Sequence, residues 1–143
     1  MPDFEEASDA ILAQLKTSLD SSRPNVPVSW PNIEFAPAED FDEASNEAWA
    51  RVSVQGAGAR QASLGAVGSR RWRSAGLVYV QVFAPIGVGA NQALAVADDV
   101  ATAFRGVTAS SVRLKAPSIN PIGRDEGYYQ VNVTTPFEFD QTA

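Results

Sequence analysis

The segment from Arg70 to Pro85 constrains the fold more than any other part of the chain. Trp72, Gly76, Val78, Val80 and Val82 alternate with Arg71, Arg73, Leu77, Tyr79, Gln81 and Phe83. Strict alternation places successive side chains on opposite faces of a strand. Toward the C-terminal end both sets turn apolar, which a strand tolerates only when both of its faces are covered. The segment is therefore predicted to be a central strand, closed by Pro85. Whatever else the chain builds must supply it with partners and a cover.

The rest of the sequence offers both. Phe4, Ile11, Leu12, Leu15 and Leu19 fall on one helical stripe, with Glu5, Glu6, Asp9 and Lys16 off it. Asp3 and Glu6 stand at capping-box spacing, and Pro24 stops the helix after Asp20-Ser21-Ser22-Arg23. A second helix is predicted from about Ala90 to Phe104, with Ala93, Ala97, Val100, Ala101 and Phe104 as its stripe and Gly106 as its stop. Its small residues suit close packing on a sheet. Ala48 to Gln55 alternates as a strand, with Trp49, Arg51 and Ser53 facing one way and Ala50, Val52 and Val54 the other. Val112 to Ala116 and Tyr128 to Phe139 alternate too, the latter with Tyr129, Val131, Val133, Thr135 and Phe137 on one face. Val26 to Ile33 contains Pro27 and Pro31, which confine it to an edge strand or an extended strap.

Three stretches read as connections. Glu34 to Asn46 is acidic and alanine-rich, an exposed loop. Gly56 to Gly68 is small and poor in core residues, and fits a mobile loop, a long hairpin arm or a weak strand. Asn120 to Gly127 carries turn chemistry. The fold class expected is α+β: one domain over residues 1–143, with a single mixed or antiparallel β-sheet. The N-terminal helix and a second helix pack on it, and flexible loops fall near 34–47 and 56–69.

Composition decides what such a domain can do. There is no histidine and no cysteine. Ser-His-Asp and Cys-His nucleophile systems, histidine metal clusters, thiolate sites and disulfides are excluded. An enzyme would be left with carboxylate, lysine or tyrosine chemistry. Asp98 and Asp99 are adjacent and so diverge on a helix, and Asp125-Glu126 matches no calcium loop. Gly87-Val88-Gly89 is similar to a dinucleotide-binding turn, but Gln92 stands at the third glycine and Pro85-Ile86 intervenes. The expectation is no enzyme, no cofactor and no metal. No apolar run approaches a membrane span, and the acidic start Met1-Pro2-Asp3-Phe4-Glu5-Glu6 is not that of a signal peptide, which argues against export.

Charge is segregated along the chain. The net charge is −6, which disfavours a wrapped nucleic-acid complex. Acids gather at Asp3, Glu5, Glu6 and Asp9, and again at Glu39, Asp40, Asp42, Glu43 and Glu47. Bases gather at Arg60, Arg70, Arg71 and Arg73. Arg71 and Arg73 share a strand face with Trp72 opposite. Three accounts are open: an interface patch, since Arg and Trp are enriched at binding hot spots, a core tryptophan flanked by solvated arginines, or nucleic-acid contact, which the acidic total disfavours. Segregated charge suits head-to-tail contact between copies, and equally describes a mixed solvated surface.

Taken in order, several phrases resemble the tail terminator and tail-completion proteins of long-tailed bacteriophages and phage-like particles. They are Ile11-Leu12-Ala13-Gln14-Leu15, then Val28-Ser29-Trp30-Pro31-Asn32, and then Val80-Gln81-Val82-Phe83-Ala84-Pro85 with Gly87 and Gly89 leading into an alanine-rich helix. A late set follows: Ala116-Pro117-Ser118-Ile119, Gly123-Arg124 and Gly127-Tyr128-Tyr129-Gln130-Val131-Asn132-Val133. The resemblance spans nearly the whole chain and rests on the order of the set rather than on one motif. It implies a virion subunit assembled in the host cytoplasm. Such a subunit forms a homo-oligomeric, hexameric ring that caps the tail tube, ends its polymerisation, meets the head-side connector and lets double-stranded DNA pass. An acidic lumen would let a polyanion slide. Under that implication Arg60, Arg70, Arg71, Trp72 and Arg73 are candidate contacts with the tube or a neighbour. Glu39, Asp40, Asp42 and Glu43 are their candidate complement. The acidic loop is longer than the family's fold needs, and neck adaptors share related folds.

Overall fold

The computed structural model describes residues 3–22, 26–31, 48–85, 91–125 and 128–142. Helix α1 spans Phe4–Ser22 and helix α2 spans Asn91–Phe104. The strands are β1 (Val28–Ser29), β2 (Trp49–Gln61), β3 (Arg71–Pro85), β4 (Thr108–Ala109), β5 (Val112–Leu114), β6 (Ser118–Asp125) and β7 (Tyr128–Thr142). They form one sheet in the order β1-β2-β3-β7-β5-β4, with β6 also pairing β7. The β1–β2 pair is parallel and the others are antiparallel. The fold is the α+β architecture expected, with a mixed sheet and both helices on one face.

β3 is central, as expected, but helices cover only one of its two faces; on the other, Phe83 is buried against Trp49 while Leu77, Tyr79 and Gln81 stay half-buried. The strand pairs with β2 from Trp49↔Phe83 to Gln61↔Trp72, and with β7 from Arg71↔Thr142 to Pro85↔Tyr128. The registers set Val52, Val80 and Val133 in one row and Ala50, Val82 and Val131 in the next. All six are buried against the helices. α1 contributes Ala7, Ile11, Leu15 and Leu19; α2 contributes Ala93, Val96, Ala97, Val100, Ala101, Ala103 and Phe104. Ala93, Ala97 and Ala101 keep α2 close to the strands, while Phe104 fills the space beyond. Gln14 Nε2 donates to the Ala103 carbonyl at 3.0 Å and ties the two helices together. The capping box forms as expected: the Glu6 amide donates to Asp3 Oδ1 at 2.9 Å and the Asp3 amide to Glu6 Oε2 at 3.3 Å.

A row of small residues marks where the core ends along β2. Gly56, Gly76 and Phe137 are register neighbours on the helix-covered face. The Phe137 ring occupies the space a Cβ on Gly76 would need, and the Gln55 carbonyl closes the same space from the other side. The Phe4 ring lies 3.4 Å from where a Gly56 Cβ would sit, and Phe4 is nearly half exposed, outside the core that its helical spacing predicts for it. From Gln55 to its end β2 is exposed or half-exposed throughout.

Three local readings change. Of the accounts open for Gly56 to Gly68, the long hairpin arm is the observed one. β2 continues through a bulge at Gly56/Gly58 to Gln61, and the β2–β3 connection occupies 62–70. The proline- and glycine-rich stretch from Asn120 is strand β6 as far as Asp125, not a turn. Pro121 is tolerated because β6 pairs with β7 alone, so its missing N–H breaks no second ladder, and a bulge at Pro121/Gly123 absorbs the irregularity. The small β4–β5 hairpin turns at Ser110 and Ser111, both with positive φ, 47° and 71°. Such turns ordinarily announce themselves with Asn-Gly, and a Ser-Ser pair does not. The acidic loop of Glu34 to Asn46 and Gly87 to Gly89 lie outside the described residues.

Gly76→Ala tests the row at the core's edge. The added methyl must displace the Phe137 ring or the β2 backbone, so the variant is expected to lose about 1–3 kcal/mol in urea unfolding, a typical cost of overpacking. Ile11→Ala, a cavity-forming change beneath α1, is expected to cost about 2–5 kcal/mol.

Candidate functional site

The helices cover one face of the sheet. The other face carries most of the chain's charged strand residues. The β2–β3 register sets Arg60 beside Arg73, and the β3–β7 register sets Arg73 beside Asp140 and Arg71 beside Thr142. Arg113 on β5 lies beside Glu138. The geometry is a two-anion core inside a ring of cations. Arg73 Nε and Nη2 donate to the two oxygens of Asp140 at 2.8 and 3.3 Å. Arg113 spans both acids, 3.1 Å to Glu138 and 3.4 Å to Asp140. Lys115 reaches Glu138 at 3.4 Å, and Arg71 approaches Asp140 at 3.9 Å. Arg60 is exposed and makes no ion pair among the described residues. This end of the face is therefore net positive on a chain whose total is −6.

The ion pairs shift both acids. The hydrogen bond from Arg73, reinforced by the charge of Arg113, holds the Asp140 carboxyl below its ordinary range. Burial by itself pushes Glu138 up, but hydrogen bonds from Arg113 and Lys115 together bring it below the usual value. Both acids stay ionised at neutral pH and lock β3, β7 and β5 together at the arm end of the sheet.

The predicted contact residues are gathered here. Arg71 and Arg73 share the helix-free face, and Trp72 points to the opposite side, as the alternation requires. Trp72 is half-buried and lies outside the core clusters, so it is not the core tryptophan of the second account. Arg70 stacks on it, with the guanidinium carbon 5.5 Å from the ring centroid. Arg60, Arg71 and Arg73 thus lie on the helix-free face and Arg70 with Trp72 on the other, so that basic side chains flank both faces at the base of the 62–70 tip. Glu39, Asp40, Asp42 and Glu43 lie outside the described residues. Sequence reading missed the tip's own apolar pair: Leu64 is 94% exposed and Val67 84%. It also missed the aromatic cluster at the far end of the same face, where Trp49 stacks on Phe83 at 4.4 Å with Tyr128 edge-on. Arg51 caps that cluster, 5.4 Å over the Phe83 ring. Strict alternation in β2 and β3 was the available signal for it, since Trp49 and Phe83 both fall out of the valine set.

Among the described residues no group of three or more His, Cys, Asp or Glu could hold a metal ion, and Glu138 and Asp140 are bound up by cations. Asp98 is exposed on α2, and its backbone carbonyl receives the Thr102 hydroxyl. No helix among the described residues is long and apolar enough to cross a membrane.

The profile of the phage tail terminator protein family matches residues 6–137. The chain belongs to the phage tail terminator family. It is accordingly a structural component of a phage tail, and of the virion, and the family is structural rather than enzymatic. Comparison with curated proteins gives no match. Among solved structures, one that is 23% identical superposes with a TM-score of 0.63, over 95% of this chain and 96% of the other. That likeness concerns the fold.

The lock makes stability depend on pH in one direction. Carboxyls with lowered folded-state pKa values contribute stability above their unfolded values, near 4, and lose it as the pH falls through the folded ones. The urea midpoint is expected to fall as the pH drops below about 4. Asp140→Asn is expected to lower the midpoint at pH 7 and to flatten that acid limb, as read by fluorescence-monitored unfolding across pH.

Proposed function

We propose that the chain acts as a ring-forming subunit at the head-proximal end of the tail. It caps the last ring of the tube, ends tube polymerisation and offers the joint to the head-side connector, with a central passage for double-stranded DNA. The observation that carries this reading is the family match over nearly the whole chain. Two structural features support it. Beyond Arg51, β2 has no strand neighbour on its outer side among the described residues, so its N–H and C=O groups are open to a partner. The hairpin tip exposes two large apolar side chains, which a free monomer has no use for.

The charge layout fits the same role. The helical side carries Glu5, Glu6, Asp9, Asp20 and Asp98, while the strand face at the arm is net positive. A subunit with opposite charges on separate surfaces joins head to tail. A heterologous contact of this kind closes into a ring when its rotation divides the circle, as in a hexamer. An acidic surface turned toward the passage would let DNA slide without sticking.

Removal of the gene from a producing strain tests the position along the particle. Overlong tails or unjoined heads in electron micrographs, rescued by the intact gene, are the expected result. Tails of normal length with heads detached would instead assign the chain to the neck, and a normal particle would overturn the reading.

A further inference from the structure

The outer side of α1 carries a groove of about 450 Å³ lined by Asp9, Leu12, Ala13, Lys16, Trp30 and Pro31. Leu12 lies on the apolar stripe of α1 but is only partly buried, unlike Ile11, Leu15 and Leu19. Trp30, on the strap after β1, packs against the core from one side and leaves its other side to the groove. The walls are mostly carbon, and the surroundings are acidic. Lys16 is already engaged by Asp20 at 3.3 Å, and Asp9, Glu5 and Glu6 add further negative charge along the same helix.

The 62–70 tip has the opposite character. Leu64 and Val67 stand almost fully exposed, and the collar beneath them is basic. Among the described residues Arg60 has no ion pair and Arg70 stacks on the Trp72 ring, while Arg71 is 3.9 Å from an acid that Arg73 already satisfies. An apolar knob with a cationic collar and an apolar groove with an anionic rim therefore occur on one chain.

We propose that the α1–Trp30 groove receives the Leu64–Val67 tip of a second copy of this chain, with Arg60 and Arg71 set against the acids of α1. The contact is heterologous, tip to groove, so each subunit gives one and accepts one, as a ring demands. The proposal rests on the ring reading above and specifies which two surfaces make the joint.

The native chain has no cysteine, so a pair introduced for the purpose reports without background. A chain carrying Leu64→Cys and Ala13→Cys, incubated with tail tubes and oxidised mildly, is expected to give a ladder of covalent multimers on non-reducing gels. Leu64→Cys paired with Thr102→Cys, on the exposed side of α2, should give no ladder. Both changes of the reporting pair are small, and the Leu64 site is open to solvent, so folding is not at issue. In parallel, Leu64→Asp is expected to raise the concentration needed for assembly ~10-fold or more, since a buried leucine would be exchanged for a charge. Oligomers in sedimentation without a Leu64→Cys/Ala13→Cys ladder would overturn this joint and leave the ring standing. Cross-links from position 64 to the tube protein, and not to a sibling chain, would overturn it too, with the tube as the tip's occupant. A chain that stays monomeric even on tube ends would remove the ring and the joint together.

Discussion

Pairing of β3 along both edges is the constraint on which the rest depends. A strand paired with β7 from Arg71 to Pro85 and with β2 from Trp72 to Phe83 cannot slip by one residue without flipping its side chains to the wrong face. That register puts the valines of β2, β3 and β7 under the helices and sends the arginines of β3 to the side no helix covers. The core and the charged surface are thus two consequences of one ladder. Where β3 loses its apolar residues, at Gly76 and beyond, β2 loses its cover, and the sheet continues as an arm whose exposed connection ends in Leu64 and Val67.

The arm has to hold its shape with little apolar burial on its β2 side. Two devices serve. Phe137 and Phe139 stack on β7 under the helix layer and anchor the base. On the other face Arg73 and Arg113 bind Asp140 and Glu138 across three strands. Exposed ion pairs contribute little singly, but a shared network with bidentate geometry is the favourable case. The same residues that stiffen the arm leave it with surplus positive charge.

Much of this was legible in the sequence. The central place of β3 followed from its apolar faces, although helices cover only one of them; the helices followed from stripe and caps, and the shared face of Arg71 and Arg73 from alternation alone. What was not legible had physical causes. Asn120-Pro121 and Gly123 look like a turn because turn residues are chosen for φ and missing donors, and an edge strand with a bulge asks for the same things. Gly56 to Gln61 left a loop, a hairpin arm and a weak strand open because it has almost no apolar residues, yet it needs none, being held by the β3 ladder. The pairing of Arg73 with Asp140 joins residues far apart in sequence and close only in the register. Leu12 looked like core from its spacing, and only the geometry shows it opening into a groove.

In the proposed role this chain works by being fitted between neighbours at one place on a phage tail. Cryo-electron microscopy of particles carrying an affinity label on the chain addresses it most directly. The account predicts label density in a ring at the head-proximal end of the tube, with each copy in contact with two siblings. Label along the whole tube, at the distal tip, or nowhere on the particle would contradict it.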